Sequence, residues 1–239
     1  MRRLLLIGAL LAAARPAAAD PGGGRVVAAP TAWLPGAGDA AAMLGVDHRG
    51  TAEARASFGL GGLAEAELGG DRDARGATLG RAAFRLGAHQ DAWLRGMPAL
   101  TMGVRASFAA RGHELHAPRV GDAYVVASRD LGVIRLHAGI DAISFAVGDR
   151  RAAARLRPLA GLEIHPAAYP RSSLIGDVVW QPVLDDPDPK LAWLLGIGVR
   201  YQALAWASVE LAVRAREAEA LGASTVLLRV NVTWAAKRR

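Results

Sequence analysis

No cysteine occurs among the 239 residues. That excludes a disulfide framework and a thiolate metal site. Aromatic residues are scarce, at 5% of the chain. Lysine is nearly absent: of 29 basic residues only Lys190 and Lys237 are lysines, and the other 27 are arginines. The arginines are spread singly, so the net charge of +7 builds no phosphate-binding stripe and no nucleic-acid partner is expected. No run of about eighteen apolar residues exists, which excludes a membrane-spanning helix. No Pro- or Ser-rich linker divides the chain, so one large domain is expected.

What the chain does have is a two-residue alternation. Between Thr51 and Asp71, Ala52, Ala54, Ala56, Phe58, Leu60, Ala64, Ala66 and Leu68 hold the even positions. Glu53, Arg55, Ser57, Glu65 and Glu67 hold the odd ones. Successive side chains of a strand point to opposite faces, so this is one greasy face and one charged face. Overall the chain is 52% hydrophobic, yet the apolar residues are dispersed. A barrel with lipid outside and a polar lumen hides its membrane signal in this way.

The N-terminus supplies an address. Arg2 and Arg3 form a basic region, residues 4–13 a short apolar one, and Ala17-Ala18-Ala19 a cleavage site before Asp20. Residues 1–19 therefore read as a signal peptide. Its removal leaves 26 basic residues against 22 acidic ones, a net charge of +4. Residues 20–40, rich in Gly and Pro, read as a flexible N-terminal lead, within which 26–34 can form a short strand or a plug. Residues 41–239 then form an outer-membrane β-barrel.

The expected fold is all-β, an antiparallel transmembrane up-and-down barrel of about twelve strands, within a range of about 10–14. The strands are expected at 41–49, 51–58, 63–70, 77–88, 98–110, 121–129, 131–140, 154–165, 172–181, 191–202, 205–215 and 224–234. Residues 141–153 read as a long loop, although 142–147 can extend the preceding strand. The ninth strand alternates less well than the others. An even count returns both ends of the array to the periplasmic side. Trp180 and Trp193 then fall at the outer rim, and Tyr201 and Trp234 at the inner rim. All four share parity with the apolar face, as a membrane-interface girdle requires. Trp206 lies near the inner rim with polar-face parity.

The polar face assigns a lumen wall: Glu53, Arg55, Glu65, Glu67, Arg81, Arg85, Arg105, Arg135, Arg155, Arg157, Glu163, Arg200, Glu210, Arg214 and Arg229, with Asp47 and Asp141. These are seven acids and ten arginines. Two readings follow: interior ion pairs that brace a narrow barrel, or a conduction path in which surplus arginine favours anionic solutes.

These patterns resemble bacterial outer-membrane β-barrels generally. More narrowly, four segments are similar to YjbH-like barrels associated with exopolysaccharide export. They are Ala29-Pro30-Thr31-Ala32, Ser57-Phe58-Gly59-Leu60-Gly61-Gly62-Leu63-Ala64-Glu65, Arg157-Pro158-Leu159-Ala160-Gly161-Leu162-Glu163 and Leu195-Gly196-Ile197-Gly198-Val199-Arg200-Tyr201. The resemblance implies outer-membrane lipid and the barrel-assembly machinery as partners, with exopolysaccharide-export components as further ones, and a monomer. It carries no catalytic residue. It departs from the pattern at the end, where Trp234 is followed by residues 235–239 rather than closing the chain.

Chemistry-bearing motifs are weak. Gly59-Leu60-Gly61-Gly62-Leu63-Ala64 fits a dinucleotide pattern, but the charged alternation upstream and Gly69-Gly70 downstream favour a hairpin turn. His113 and His116 flank Glu114 without a third metal ligand. Asp185, Asp186 and Asp188 sit among prolines, outside any known calcium loop. Ser57, Ser107, His137 and His165 have lumen parity, and lipid hydrolysis would need a serine and a base within hydrogen-bond reach. No cofactor or metal is expected. The expected function is a passive, porin-like channel or an envelope or export component rather than an enzyme. The alternatives are a barrel enzyme acting on lipid, or a soluble periplasmic β-protein that binds a small apolar ligand.

Overall fold

Alternation becomes geometry in a computed structural model, in which twelve antiparallel strands close into one barrel. The structure describes residues 24–72, 78–111, 118–148, 150–183, 190–217 and 223–235. The signal-peptide segment, His113, His116 and the Asp185, Asp186 and Asp188 group lie outside the described residues. The strands are β1 (Ala40–Asp47), β2 (Ala52–Leu60), β3 (Ala64–Arg72), β4 (Thr78–Ala88), β5 (Ala99–Arg111), β6 (Arg119–Asp130), β7 (Ile134–Val147), β8 (Arg150–Ile164), β9 (Ser172–Val183), β10 (Lys190–Leu204), β11 (Ala207–Arg216) and β12 (Thr225–Trp234). Each pairs with its sequence neighbour. The ladder between β1 and β12, from Ala40↔Trp234 to Asp47↔Leu227, closes the sheet. Among the described residues there is no α-helix.

Parity sorts the two faces. Leu68 on β3, Val104 on β5, Ile140 on β7, Ile197 on β10 and Leu211 on β11 stand on the outer surface, more than half exposed where nothing packs on them. Their in-between neighbours turn inward, and Glu65, Asp141, Arg200 and Glu210 are buried in the interior. This is the arrangement of a barrel solvated by lipid outside. The start of β1 and the end of β12 pair at one end of the barrel, which the rule for bacterial barrels makes the periplasmic end. Trp180 and Trp193 face each other directly across the β9–β10 ladder near the opposite rim. Tyr201 and Trp234 are exposed near the periplasmic rim. Trp206 sits in the turn between β10 and β11, where strand parity no longer applies, and is exposed at the same rim.

Two departures from the sequence reading have plain causes. The expected 141–153 loop is strand: β7 runs to Val147 and β8 starts at Arg150. Beyond Asp141 the alternation changes character, because Ile143, Phe145 and Val147 turn inward and are buried while small residues face out. The pairing with β8 carries the strand through this change. The second concerns the N-terminal lead, in which a plug over 26–34 is one of the forms the sequence allows. Over residues 24–39 it is no loose extension but enters the barrel, where Val26, Val27, Ala29, Thr31 and Ala32 are fully or almost fully buried.

The turns agree with the sequence reading. Gly61 and Gly62, at φ 66° and 71°, make the β2–β3 turn, so the dinucleotide-like glycines are a hairpin. The long β4–β5 connection is braced against β6: Arg129 donates to the Met97 carbonyl at 2.9 Å and pairs with Asp91 at 3.2 Å. The Asp91 carboxyl also accepts the Gly96 N–H at 2.6 Å, and this bond holds its pKa below the ordinary value.

An outward charge should therefore be punished and an inward one tolerated. Leu211→Arg is expected to destabilise the barrel by about 2–4 kcal/mol, read by urea unfolding in phospholipid vesicles, since Leu211 faces lipid at mid-height. An unchanged midpoint would contradict the lipid-facing assignment.

Candidate functional site in the barrel lumen

The lumen is a plugged space. Residues 24–33 form a tight reversal, with Val26 N–H donating to the Ala29 carbonyl at 3.0 Å and Thr31 N–H to the Gly24 carbonyl at 3.2 Å. Three successive amides at the tip, Val27, Ala28 and Ala29, all donate to Oδ2 of Asp177, at 2.8, 2.5 and 2.6 Å. A row of adjacent N–H groups is a ready-made concavity for an anion, here filled by a wall carboxylate. Each bond to a charged acceptor contributes about 1.5–3 kcal/mol.

The plug's carbonyls are held by wall arginines, each of which also pairs with a wall carboxylate. Arg85 donates to the Thr31 and Gly24 carbonyls, at 3.0 and 3.3 Å, and pairs with Glu65. Arg200 donates to the carbonyls of Arg25 and Val26, at 2.7 and 2.8 Å, and lies 3.2 Å from Glu210. Arg229 donates to the Val27 carbonyl and joins Glu53 at 2.5 Å and Glu210 at 2.9 Å. From the plug itself, Arg25 reaches Glu67 at 2.9 Å. These wall charges were legible by parity, but their shared task was not, because the partner is main chain.

Apolar packing completes the seat. Val26 and Val27 pack with Ile175 and Ala212, and Ala29 and Ala32 with Tyr124, Val126, Leu159, Val179 and Leu194. This explains why β9 alternates poorly: its inward face carries Ile175 and Val179 to meet the plug. Two wall glycines give the room. A Cβ on Gly161 would stand 2.7 Å from Val26 Cγ2, and one on Gly196 would stand 2.8 Å from Val27 Cβ.

A second cluster anchors the plug's return. Ala32 N–H donates to Ser128 Oγ at 2.8 Å, and Thr101 Oγ1 donates to the Ala32 carbonyl at 3.1 Å. Ser128 Oγ shares a 2.7 Å hydrogen bond with His137 Nδ1, and His137 Nε2 lies 3.5 Å from Glu163. Glu163 also sits 3.5 Å from His165, 3.7 Å from Arg200 and 3.8 Å from Arg135. This serine–histidine–carboxylate line brings together the elements a hydrolase uses. Ser128, fully buried, was missed from sequence, and its hydroxyl is occupied by the plug amide. Ser57 and Ser107 share no hydrogen bond with a histidine among the contacts described.

Two chambers adjoin the plug, and Arg25, Arg55 and Arg229 line both. The periplasmic one, about 130 Å³, is lined by the plug, Arg85, Arg200, Glu65, Glu67 and Glu210 among others. The outer one, about 200 Å³, is lined by six arginines (25, 55, 81, 105, 214 and 229) and by Asp71, Asp122 and Asp141. Several are paired: Arg81 with Asp71 at 2.8 Å, Arg105 with Asp122 at 2.9 Å and Asp141 at 3.6 Å, and Arg214 with Asp47 at 4.0 Å. Arg55 pairs with Glu53 at 3.2 Å, while its Nε and Nη1 are buried and meet no acceptor among the described residues. Arg135 pairs with Asp130 at 2.9 Å near the periplasmic rim. Arg155 and Arg157 stand apart from this network: Arg155 is exposed, and Arg157 lies over the Trp180 ring, 4.7 Å from its centroid.

The architecture is that of bacterial outer-membrane β-barrels. No family model and no curated protein matches the sequence. Among solved structures the chain is similar to the KdgM porin, with a TM-score of 0.56 and 4% identity over 83% of this chain and 99% of that one. The KdgM porin in complex with disordered oligogalacturonate gives a TM-score of 0.56 at 5% identity, with the same coverage. The outer membrane protein Omp33 of Acinetobacter baumannii aligns with a TM-score of 0.45 and 7% identity over 82% of this chain and 97% of that one. At these identities the likeness is one of fold.

The anchoring predicts accessibility. In the cysteine-free chain, Thr31→Cys places one thiol in the buried plug. It should react slowly with a water-soluble maleimide, and adding Asp177→Ala should speed the reaction at least tenfold. Equal rates would show that the carboxylate does not hold the plug.

Proposed function

We infer that the protein is a porin-like outer-membrane channel that is stoppered by its own N-terminal segment and admits small anions to its outer chamber. The observation that carries this reading is the chamber lining, six arginines and three aspartates, in which Arg55 pairs with Glu53 and has two further donors without an acceptor among the described residues. A low-dielectric cavity lined by surplus guanidinium attracts anions and repels cations. The fold shared with the KdgM porin, solved also in complex with disordered oligogalacturonate, supports a channel over an enzyme. In this reading residues 1–19 direct export, the barrel-assembly machinery inserts a monomer, and Trp180, Trp193, Tyr201 and Trp234 mark the two membrane interfaces. The central belt of Glu53, Glu65, Arg85, Arg200, Glu210 and Arg229 braces the plug, and Arg55, Arg81, Arg105 and Arg214 of the outer chamber set the charge preference.

Planar-bilayer recording tests the reading. The native barrel should show little steady conductance. Deleting residues 24–35 should raise conductance at least tenfold with a preference for anions, and Arg81→Glu in that background should weaken or reverse the preference. Gly196→Val, which crowds Val27 without shortening the chain, should give an intermediate opening. Heat-modifiable migration on a gel verifies that each variant is a closed barrel. A folded, plug-less barrel that passes no ions would instead mark an envelope or exopolysaccharide-export component, as the YjbH-like resemblance implies.

A further inference from the structure

The barrel wall has a seam. The ladder between β8 and β9 joins only Ala160–Ile164 to Leu174–Val178. On their other sides the same strands are paired much farther, β8 with β7 up to Val147↔Arg150 and β9 with β10 up to Lys190↔Val183. Above Ala160↔Val178 the two hairpins therefore diverge. Pro158 and Pro182 flank the parting, and a proline has no N–H to give to a ladder.

The lumen reaches through this seam. On β9, Trp180 and Pro182 have the outward parity of the exposed Leu174, yet both line the outer chamber. Over 150–158, β8 shows no buried face. The same stretch carries Arg150, Arg151, Arg155 and Arg157, and the Arg157 guanidinium lies over the Trp180 ring.

Depth fixes what meets the seam. Trp180 and Trp193 sit opposite each other at the outer rim, the level of lipid headgroups. The ladder ends two residues below, about 7 Å down the strand. Strand edges with free polar groups do not face hydrocarbon, where each unsatisfied group costs several kcal/mol. Whatever covers the seam must therefore offer hydrogen-bond acceptors above and tolerate apolar wall below. On the lipid face a shallow apolar groove of about 710 Å³ runs across β4–β8 and ends at Leu156, between Arg155 and Arg157.

We propose that the β8–β9 seam is a lateral port that seats a lipid of the outer leaflet whose phosphate-bearing headgroup is net anionic. Its headgroup passes beside Arg157 and Trp180 into the arginine-lined outer chamber, while an acyl chain stays on the membrane side against Leu156. The phosphate supplies the acceptors that the parted strands and the guanidinium lack. The port depends on the outer chamber of the preceding reading but not on conduction, so a barrel that passes no ions leaves it standing.

The test uses the full barrel in phosphatidylcholine vesicles, with a fluorophore on Ser107→Cys, a position that lines the outer chamber. Vesicles are doped with a lipid bearing a nitroxide on its headgroup, either as an anionic phosphodiester or as the zwitterionic choline form. The anionic form should quench the chamber fluorophore at least threefold more than the zwitterionic form. Arg157→Gln should abolish that difference, and Trp180→Ala should reduce it, in barrels that keep heat-modifiable migration. Arg119→Gln, a guanidinium away from the seam, should leave it intact. Equal quenching by the two lipids, or a difference that survives Arg157→Gln, overturns the port. So does loss of the difference on adding millimolar inorganic phosphate, which would make the site one for a free anion.

Discussion

Everything inside this barrel depends on the need to satisfy polar groups that cannot reach bulk water. A closed sheet whose outer face must be greasy is forced to turn its charges inward. Inside a narrow lumen those charges meet one another, and a buried charge without a partner is destabilising. Here the solution is reciprocal. Wall carboxylates neutralise Arg85, Arg200 and Arg229, and the donors left over on those arginines take plug carbonyls. Asp177 does the converse, taking three plug amides. The plug is thus the hydrogen-bond complement of the wall.

This arrangement divides the lumen by role. Mid-height charges are consumed in holding the plug, so they are poor candidates for contact with a solute. Among the chamber arginines, Arg55 keeps two buried donors that meet no acceptor among the described residues. The Ser128–His137–Glu163 line shows how chemistry can be assembled yet used as an anchor, since the hydroxyl is already committed to Ala32. The same division explains the wall's irregularities. Gly161 and Gly196 make space for two valines, and β9 gives up clean alternation to seat them.

The outer half of the wall obeys a different constraint. Where β8 and β9 part, the barrel no longer closes itself, and Arg157 on Trp180 is the contact described across the opening. A barrel tolerates such a parting only near the interface, where water or headgroups supply what the missing strand would have. That is also the level at which Trp180 and Trp193 stand.

Much of this was written in the order of residues. Period-two patterning from residue 41 to Trp234 determined an antiparallel barrel of about twelve strands and its inward and outward faces, because in a barrel both follow from parity and run length. Parity also named Glu53, Arg85, Arg200, Glu210 and Arg229 as lumen residues. Parity fails where both faces are apolar, as at Ile143, Phe145 and Val147, which is why β7 outran its expected end. It also cannot say which inward groups meet. The plug's seat and the Asp177 contact join residues as far apart as Val27 and Arg229. Such contacts depend on closure of the sheet, and only the tertiary structure decides them.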